Sequence, residues 1–192
     1  MKKIYFIAVL SLLVIISGYS LTAKDTKKAE NFRLKDYNGK EIQLSDFKSS
    51  KAVVLIFVST QCPVSNAYNS RMAGLFSDYK DKGIAFLGIN SNEKESVSEI
   101  KDHAKNNDLG FSILKDEKNI IADKFSASVT PEVFVLNGNN EILYHGRIDD
   151  SRKESDVKSD DLRVALDQIL AGKQVANSKT KAFGCSIKRA GE

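Results

Sequence analysis

Val53-Val54-Leu55-Ile56-Phe57-Val58-Ser59-Thr60-Gln61-Cys62-Pro63-Val64-Ser65 is the stretch on which the fold turns. Its first residues are apolar and mostly β-branched, the composition of a strand buried on both faces. Ser59-Thr60-Gln61 is a polar turn, and Cys62 follows at once. Pro63 then opens a helical stretch, where it costs little because the first helical N–H has no partner to lose. A thiol at the first turn of a helix faces free backbone N–H groups and the positive end of the helix dipole. Both favour the thiolate, which is the reactive form. The alternative is a buried, inert cysteine, common within apolar strands. Cys62 stands after the strand, at its junction with the helix, and that placement suits redox chemistry better.

Working outward, the chain alternates strands and helices. Residues 32–37 and 41–44 flank Asn38-Gly39, a strong two-residue hairpin signal. The spacing of Ala67, Met72, Leu75-Phe76 and Tyr79 predicts a helix over 63–82, stopped by Gly83. Residues 84–90 read as a second core strand and 93–107 as a helix with Val97, Ile100 and Ala104 on one face. A short strand at 111–114, a short helix at 117–125 and a strand at 132–136 follow. Residues 137–140 are a turn into a returning strand at 141–146. A charged loop at 148–160 leads to a last amphipathic helix at 161–170. The remainder has no periodicity and reads as an irregular tail.

The N-terminus carries an export signal. Lys2 and Lys3 precede an apolar run at 4–16, and small residues follow at Gly18, Ser20 and Ala23. This is a secretory leader, with cleavage after Ser20 or Ala23. The alternative is an uncleaved anchor, disfavoured because the run is shorter than the roughly 20 residues a spanning helix prefers. Either way the globular part is exported, periplasmic or extracellular. The organisation expected is a leader at 1–23, a linker at 24–30, one domain at 31–171 and a tail at 172–192 carrying Cys185.

Composition narrows the function further. The chain has 29 Lys+Arg against 25 Asp+Glu, and its excess of +4 halves when Lys2 and Lys3 leave with the leader. That is too weak to argue for nucleic acid or an anionic membrane surface, and no second apolar run spans a membrane. No cofactor signature is present. Two cysteines in an oxidising compartment invite a disulfide, yet a domain of about 170 residues does not need one for stability. The pair is therefore more chemical than structural. His103, predicted on a solvated helix face, and His145, on a strand beside Gly146, lie at no metal-ligand spacing from either cysteine.

The order strand, helix, strand, helix, antiparallel hairpin, helix resembles a thioredoxin-like α/β fold: a mixed sheet flanked by helices, here with an added N-terminal β-hairpin. Phe57 lies where thioredoxins carry an aromatic before their first active-site cysteine. Val129-Thr130-Pro131-Glu132 resembles the segment bearing that superfamily's cis-proline. The resemblance implies that Pro131 is cis and that the Thr130 backbone is free to pair with an extended substrate. A closer resemblance covers nearly all of the chain after the leader. Cys62-Pro63, Gly88-Ile89-Asn90-Ser91-Asn92, Thr130-Pro131, Tyr144 to Asp150 and Gly184-Cys185-Ser186-Ile187-Lys188 are similar to the peroxiredoxin-like branch of the redoxin (AhpC/TSA) family. It implies thiol-based redox activity without settling the substrate.

Departures from better-known relatives define the alternatives. Ser65 stands where thioredoxin-type reductases place their resolving cysteine, and a hydroxyl can bond a thiolate but cannot release a bound partner. Cys62 then works as a monothiol, or Cys185 resolves it. Cys185 sits between the small residues Gly184 and Ser186, with Lys188 and Arg189 near enough in sequence to favour its thiolate. An intrachain disulfide, an intermolecular one and an idle tail cysteine all stay open. Typical peroxiredoxins add a proline, a hydroxyl and an arginine around the cysteine, the last two polarising the peroxide. Here Ser59 supplies the hydroxyl, Leu55 replaces the proline and Pro131 the arginine. Arg147 is a candidate for the charge, or a surface partner of Asp149 or Asp150. Thr60 either orients the thiolate or caps the next helix.

The leading expectation is an exported thiol oxidoreductase. Cys62 attacks a disulfide of a protein partner or a small peroxide, and an external dithiol resets the chain. Exchange is favoured over peroxide reduction because the peroxidatic arginine is missing. Two alternatives come from other classes: a copper-binding or metallochaperone protein on the same fold, and a redox-inactive module holding a peptide at Thr130-Pro131.

Overall fold

The computed structural model describes residues 27–191. The leader expected at 1–23 lies outside the described residues. Ala52–Phe57 (β3) is buried at all six positions and is an interior strand of a seven-stranded sheet. It runs parallel to Ile84–Asn90 (β4) on one side and antiparallel to Glu132–Leu136 (β7) on the other. β4 runs parallel to Ser112–Lys115 (β5). Beyond β5 lie Arg33–Asp36 (β1) and Glu41–Gln43 (β2), the hairpin expected around Asn38-Gly39. Gly39 takes φ +80°, the left-handed value the turn demands. Ile142–Gly146 (β8) pairs with β7 and closes the far edge. The full order is β2-β1-β5-β4-β3-β7-β8.

Alternation along β3 divides the core. Val54 and Ile56 face Asn69–Tyr79 (α2), Val97–Asn106 (α3) and Asp161–Leu170 (α5) through Met72, Leu75, Ile100, Leu162 and Leu166. Val53, Leu55 and Phe57 face Ile120–Phe125 (α4) and the hairpin through Ile121, Phe125, Ile42 and Leu44. Each of these buried side chains contributes about 1.5–3 kcal/mol, so both faces hold the strand in register beneath Cys62. Among the described residues no helix is long and apolar enough to cross a membrane.

Four elements differ from the sequence expectation, one because of a local cap and three for tertiary reasons. The helix predicted over 63–82 is two helices, Pro63–Asn66 (α1) and α2, followed by a 3-10 turn at Lys80–Lys82. The break falls at Tyr68, whose buried ring is held by its hydroxyl to Asp149 Oδ1 (3.1 Å) and the Ser151 carbonyl (2.9 Å). The helix predicted from residue 93 begins at Val97, because Ser96 caps it in a reciprocal capping box with Glu99. Residues 27–29, expected as part of a linker, lie along the β7–β8 turn, with Ala29 N–H bonded to the Asn140 carbonyl at 2.8 Å. The tail is not irregular throughout. Thr180 and Ser178 exchange backbone hydrogen bonds with His145, and Cys185–Ser186 (β9) pairs antiparallel with Val129–Thr130 (β6).

Candidate active site

β3 ends at Phe57, the chain turns through residues 58–61, and Cys62 is the N-cap residue of α1. Cys62 is 5 % exposed. Its sulfur accepts the Ser65 backbone N–H at 3.3 Å, one of the free donors that a helix start provides. Its own N–H goes to Ser59 Oγ at 2.9 Å. Pro63 occupies the first helical position, as expected. Cys62 is disulfide-bonded to Cys185, with a Cα–Cα distance of 5.9 Å, so the intrachain pairing is the one observed.

The cis Thr130–Pro131 peptide faces this disulfide, and the Thr130 carbonyl oxygen lies 3.5 Å from Cys62 Sγ. The edge of β6 that was expected to be free is occupied by the tail itself, with Cys185 opposite Thr130 and Ser186 opposite Val129. Gly184 permits this approach, since a Cβ there would meet the Thr130 carbonyl. Glu132 steadies the segment from behind. Its carboxylate accepts the N–H groups of Ser128 (2.8 Å) and Val129 (3.2 Å) and bonds His145 Nε2 (2.6 Å). Burial alone would raise the Glu132 pKa, but these hydrogen bonds outweigh it and hold the carboxyl below its ordinary value.

The residue that sequence reasoning missed is Glu95. It is 3 % exposed, and its carboxylate accepts Thr60 N–H (2.6 Å), Thr60 Oγ1–H (2.9 Å), Asn90 Nδ2–H (2.6 Å) and the Ser59 hydroxyl. Ser59 Oγ in turn accepts the N–H groups of Gln61 (3.2 Å) and Cys62. A buried carboxylate thus holds the turn that presents the cysteine. Lys115 lies under the same loop and donates to the carbonyls of Asn92 (2.6 Å) and Glu95 (2.7 Å). Burial pulls its ammonium pKa down, with Glu95 acting against that. No sequence signal distinguished Glu95 from Glu93, because both fall in the first turn of the helix expected over 93–107.

Several expected roles change. Thr60 neither caps a helix nor reaches the sulfur; it holds Glu95. The Ser65 hydroxyl accepts Ser59 N–H at 3.2 Å, and only its backbone serves the sulfur. Arg147 pairs with Asp161 at 2.7 Å, not with Asp149 or Asp150. Asp149 instead binds Arg71 at 2.6 Å, a buried pair that also fixes Tyr68. His103 is half-buried rather than solvated, with Nε2 3.3 Å from Asn69 Oδ1, and burial lowers its pKa. Arg189 binds the Ala127 carbonyl and Asp123, so its charge is not held for Cys185 alone. Among the described residues no group of three His, Cys, Asp or Glu side chains could hold a metal ion.

The AhpC/TSA family model matches residues 26–145. The thiol-disulfide oxidoreductase ResA of Halalkalibacterium halodurans is 28 % identical over 146 residues, covering 70 % of this chain and 81 % of that one. Peroxiredoxin Q of Oryza sativa subsp. japonica is 28 % identical over 123 residues, covering 60 % of this chain and only 55 % of its own length. Among solved structures, a hypothetical protein from Sinorhizobium meliloti 1021 superposes with a TM-score of 0.81 at 32 % identity, covering 87 % of this chain and 95 % of that one. An uncharacterized conserved protein from Geobacillus kaustophilus gives 0.82 at 31 %, covering 87 % and 93 %.

Proposed function

The chain belongs to the AhpC/TSA family, and on that premise we propose that it is an exported thiol-disulfide oxidoreductase working through Cys62 and Cys185. The observation that carries this reading is the Cys62–Cys185 disulfide, set between the start of α1 and the cis-proline edge. In the reduced chain the Cys62 thiolate attacks a partner disulfide. One partner sulfur leaves as a thiolate and a mixed disulfide forms. The Cys185 thiolate then attacks Cys62 Sγ, the second partner thiolate leaves, and the chain carries the disulfide the partner has lost. An external dithiol reverses the last state. Its first thiolate attacks the sulfur of Cys185, the more exposed residue of the pair, and Cys62 departs as a thiolate received by the Ser65 N–H; its second thiolate then closes the reductant's own disulfide and releases the Cys185 thiolate.

The geometry favours disulfides over peroxides. A hydroxyl has one donor and two acceptor sites. Those of Ser59 are all engaged, by Glu95, Gln61 and Cys62, leaving none to orient a peroxide. Neither buried-side arginine is available either, since Arg71 is bound to Asp149 and Arg147 to Asp161. Export is supported by the leader-like N-terminus and by a disulfide that an oxidising compartment would preserve.

The test compares the rates at which the reduced protein consumes a small disulfide and hydrogen peroxide, with oxidised products read by non-reducing peptide mass spectrometry. A Cys62–Cys185 link formed faster by the disulfide is expected. Cys62 reacting no faster than a free thiol with either reagent would sink the reading.

A further inference from the structure

The tail lies across the site as a bound strand, and three of its positions fit in ways that backbone pairing does not require. The ladder itself is sequence-blind: β9 pairs with β6, and Ile187 N–H continues it to the Ser128 carbonyl at 2.9 Å. Immediately before Cys185, Gly184 rests on the Thr130 carbonyl, so any Cβ there meets backbone rather than a movable side chain. Two positions before Cys185, Phe183 packs edge-on against Tyr68, with ring centroids 6.3 Å apart. Two positions after it, Ile187 is 3 % exposed, in the same apolar cluster as Phe125 and Ala127.

We infer that the β6 edge is a docking surface for an extended segment of a partner polypeptide, whose reactive cysteine follows a glycine and precedes an aliphatic residue by two positions. This rests on the thiol-exchange reading and adds to it the recognition chemistry. Main-chain bonds along a sheet edge supply affinity, and pockets for particular side chains supply selectivity. The tail is such a ligand in cis. In the oxidised chain it fills the groove, and opening the disulfide removes its covalent anchor. Its other anchors flank the groove: before it Ser178 and Thr180 bond His145, and past it Lys188 bonds Asn92, Glu93 and Asn119, and Ala190 bonds Asn119. A partner can therefore displace residues 183–187 while the end of the chain stays attached.

The test uses the full-length Cys185→Ser chain, labelled at Cys62 as a mixed disulfide with thionitrobenzoate. A label on that sulfur takes the bond that Cys185 makes in the oxidised chain, so the tail has no covalent anchor in the groove. A nine-residue peptide with the sequence of residues 181–189 is added with its thiol free. The peptide thiolate attacks Cys62 Sγ, the bond to the label breaks, and thionitrobenzoate leaves with the electron pair and is read by its absorbance. The parent peptide should react about tenfold faster than versions carrying Gly184→Ala or Ile187→Asn, which share its cysteine and charges. Equal rates within about twofold, with dithiothreitol still releasing the label, would overturn the docking inference and leave thiol exchange standing. Failure of dithiothreitol to release the label would instead count against thiol exchange at Cys62 itself, and the inference would fall with it. In the intact chain, Gly184→Ala should shift the glutathione equilibrium about tenfold toward the dithiol, and no shift would count against the fit.

Discussion

Glu95→Ala removes the acceptor that holds the Cys62 turn, and its cost can be worked from the contacts. Four donors lose their partner: the Ser59 hydroxyl, Thr60 N–H, Thr60 Oγ1–H and Asn90 Nδ2–H. Each unsatisfied buried donor costs about 1–3 kcal/mol. Removing the carboxylate leaves a space open to water, and each hydroxyl can turn to another acceptor, so the sum is relieved. A loss of about 3–5 kcal/mol is expected, similar to breaking other buried polar networks. Glu95→Gln keeps one acceptor oxygen. If that oxygen serves Thr60 and Asn90, the amide faces Ser59 Oγ, whose acceptor sites are already filled by Gln61 and Cys62. The conservative variant should therefore lose about 1–3 kcal/mol. The assay is urea unfolding of the reduced protein, with Cys62 alkylation measured against pH in the same variants. Loosening the turn should also slow alkylation of Cys62 near neutral pH, since the Cys62 N–H would no longer be anchored on Ser59 Oγ and the Ser65 N–H would no longer be held against the sulfur. A loss below about 0.5 kcal/mol for Glu95→Ala, the range of an ordinary surface change, would refute the argument that this carboxylate organises the site.

Reducing the disulfide should lower stability by about 2–5 kcal/mol, because its closed loop spans a sequence separation of 123; matching urea midpoints for the oxidised and reduced forms would contradict this. Arg71→Ala should cost about 3–5 kcal/mol by stranding Asp149, which is 2 % exposed, and thermal unfolding of the variant checks it. His103 has its pKa lowered by burial, so the unfolded chain binds the proton more readily than the folded one. Its contribution to stability is complete above the ordinary imidazole value of about 6.5 and declines as the pH falls below it. Replacing it by Gln should flatten the stability profile in that acid range, and an unchanged slope would argue against the buried imidazole. Replacing Cys62 by Ser should abolish disulfide exchange, while Cys185→Ser should leave a mixed disulfide trapped on Cys62 under partner disulfide, both visible by intact mass.

Much of this protein is determined locally, and those parts were readable in the sequence. The buried run that became β3, the Asn38-Gly39 hairpin and Pro63 at the first position of a helix each follow from patterns only a few residues long. Cys62 is placed by the same local rule, because a strand that ends in a turn before a helix must expose its junction residue to free N–H groups. Tertiary structure alone decided the rest. Tyr68 breaks a helix whose periodicity is continuous, because its hydroxyl is drawn to Asp149 and Ser151, more than eighty residues away. Glu95 acquires its importance from Ser59 and Thr60, which no spacing rule connects to it. The tail shows no periodicity because its order comes from a borrowed edge: β6, Asn92 and Asn119 supply the hydrogen bonds, and Cys62 supplies the covalent link. Local patterns report what a segment does with its own backbone, and partners distant in sequence leave no periodic trace there.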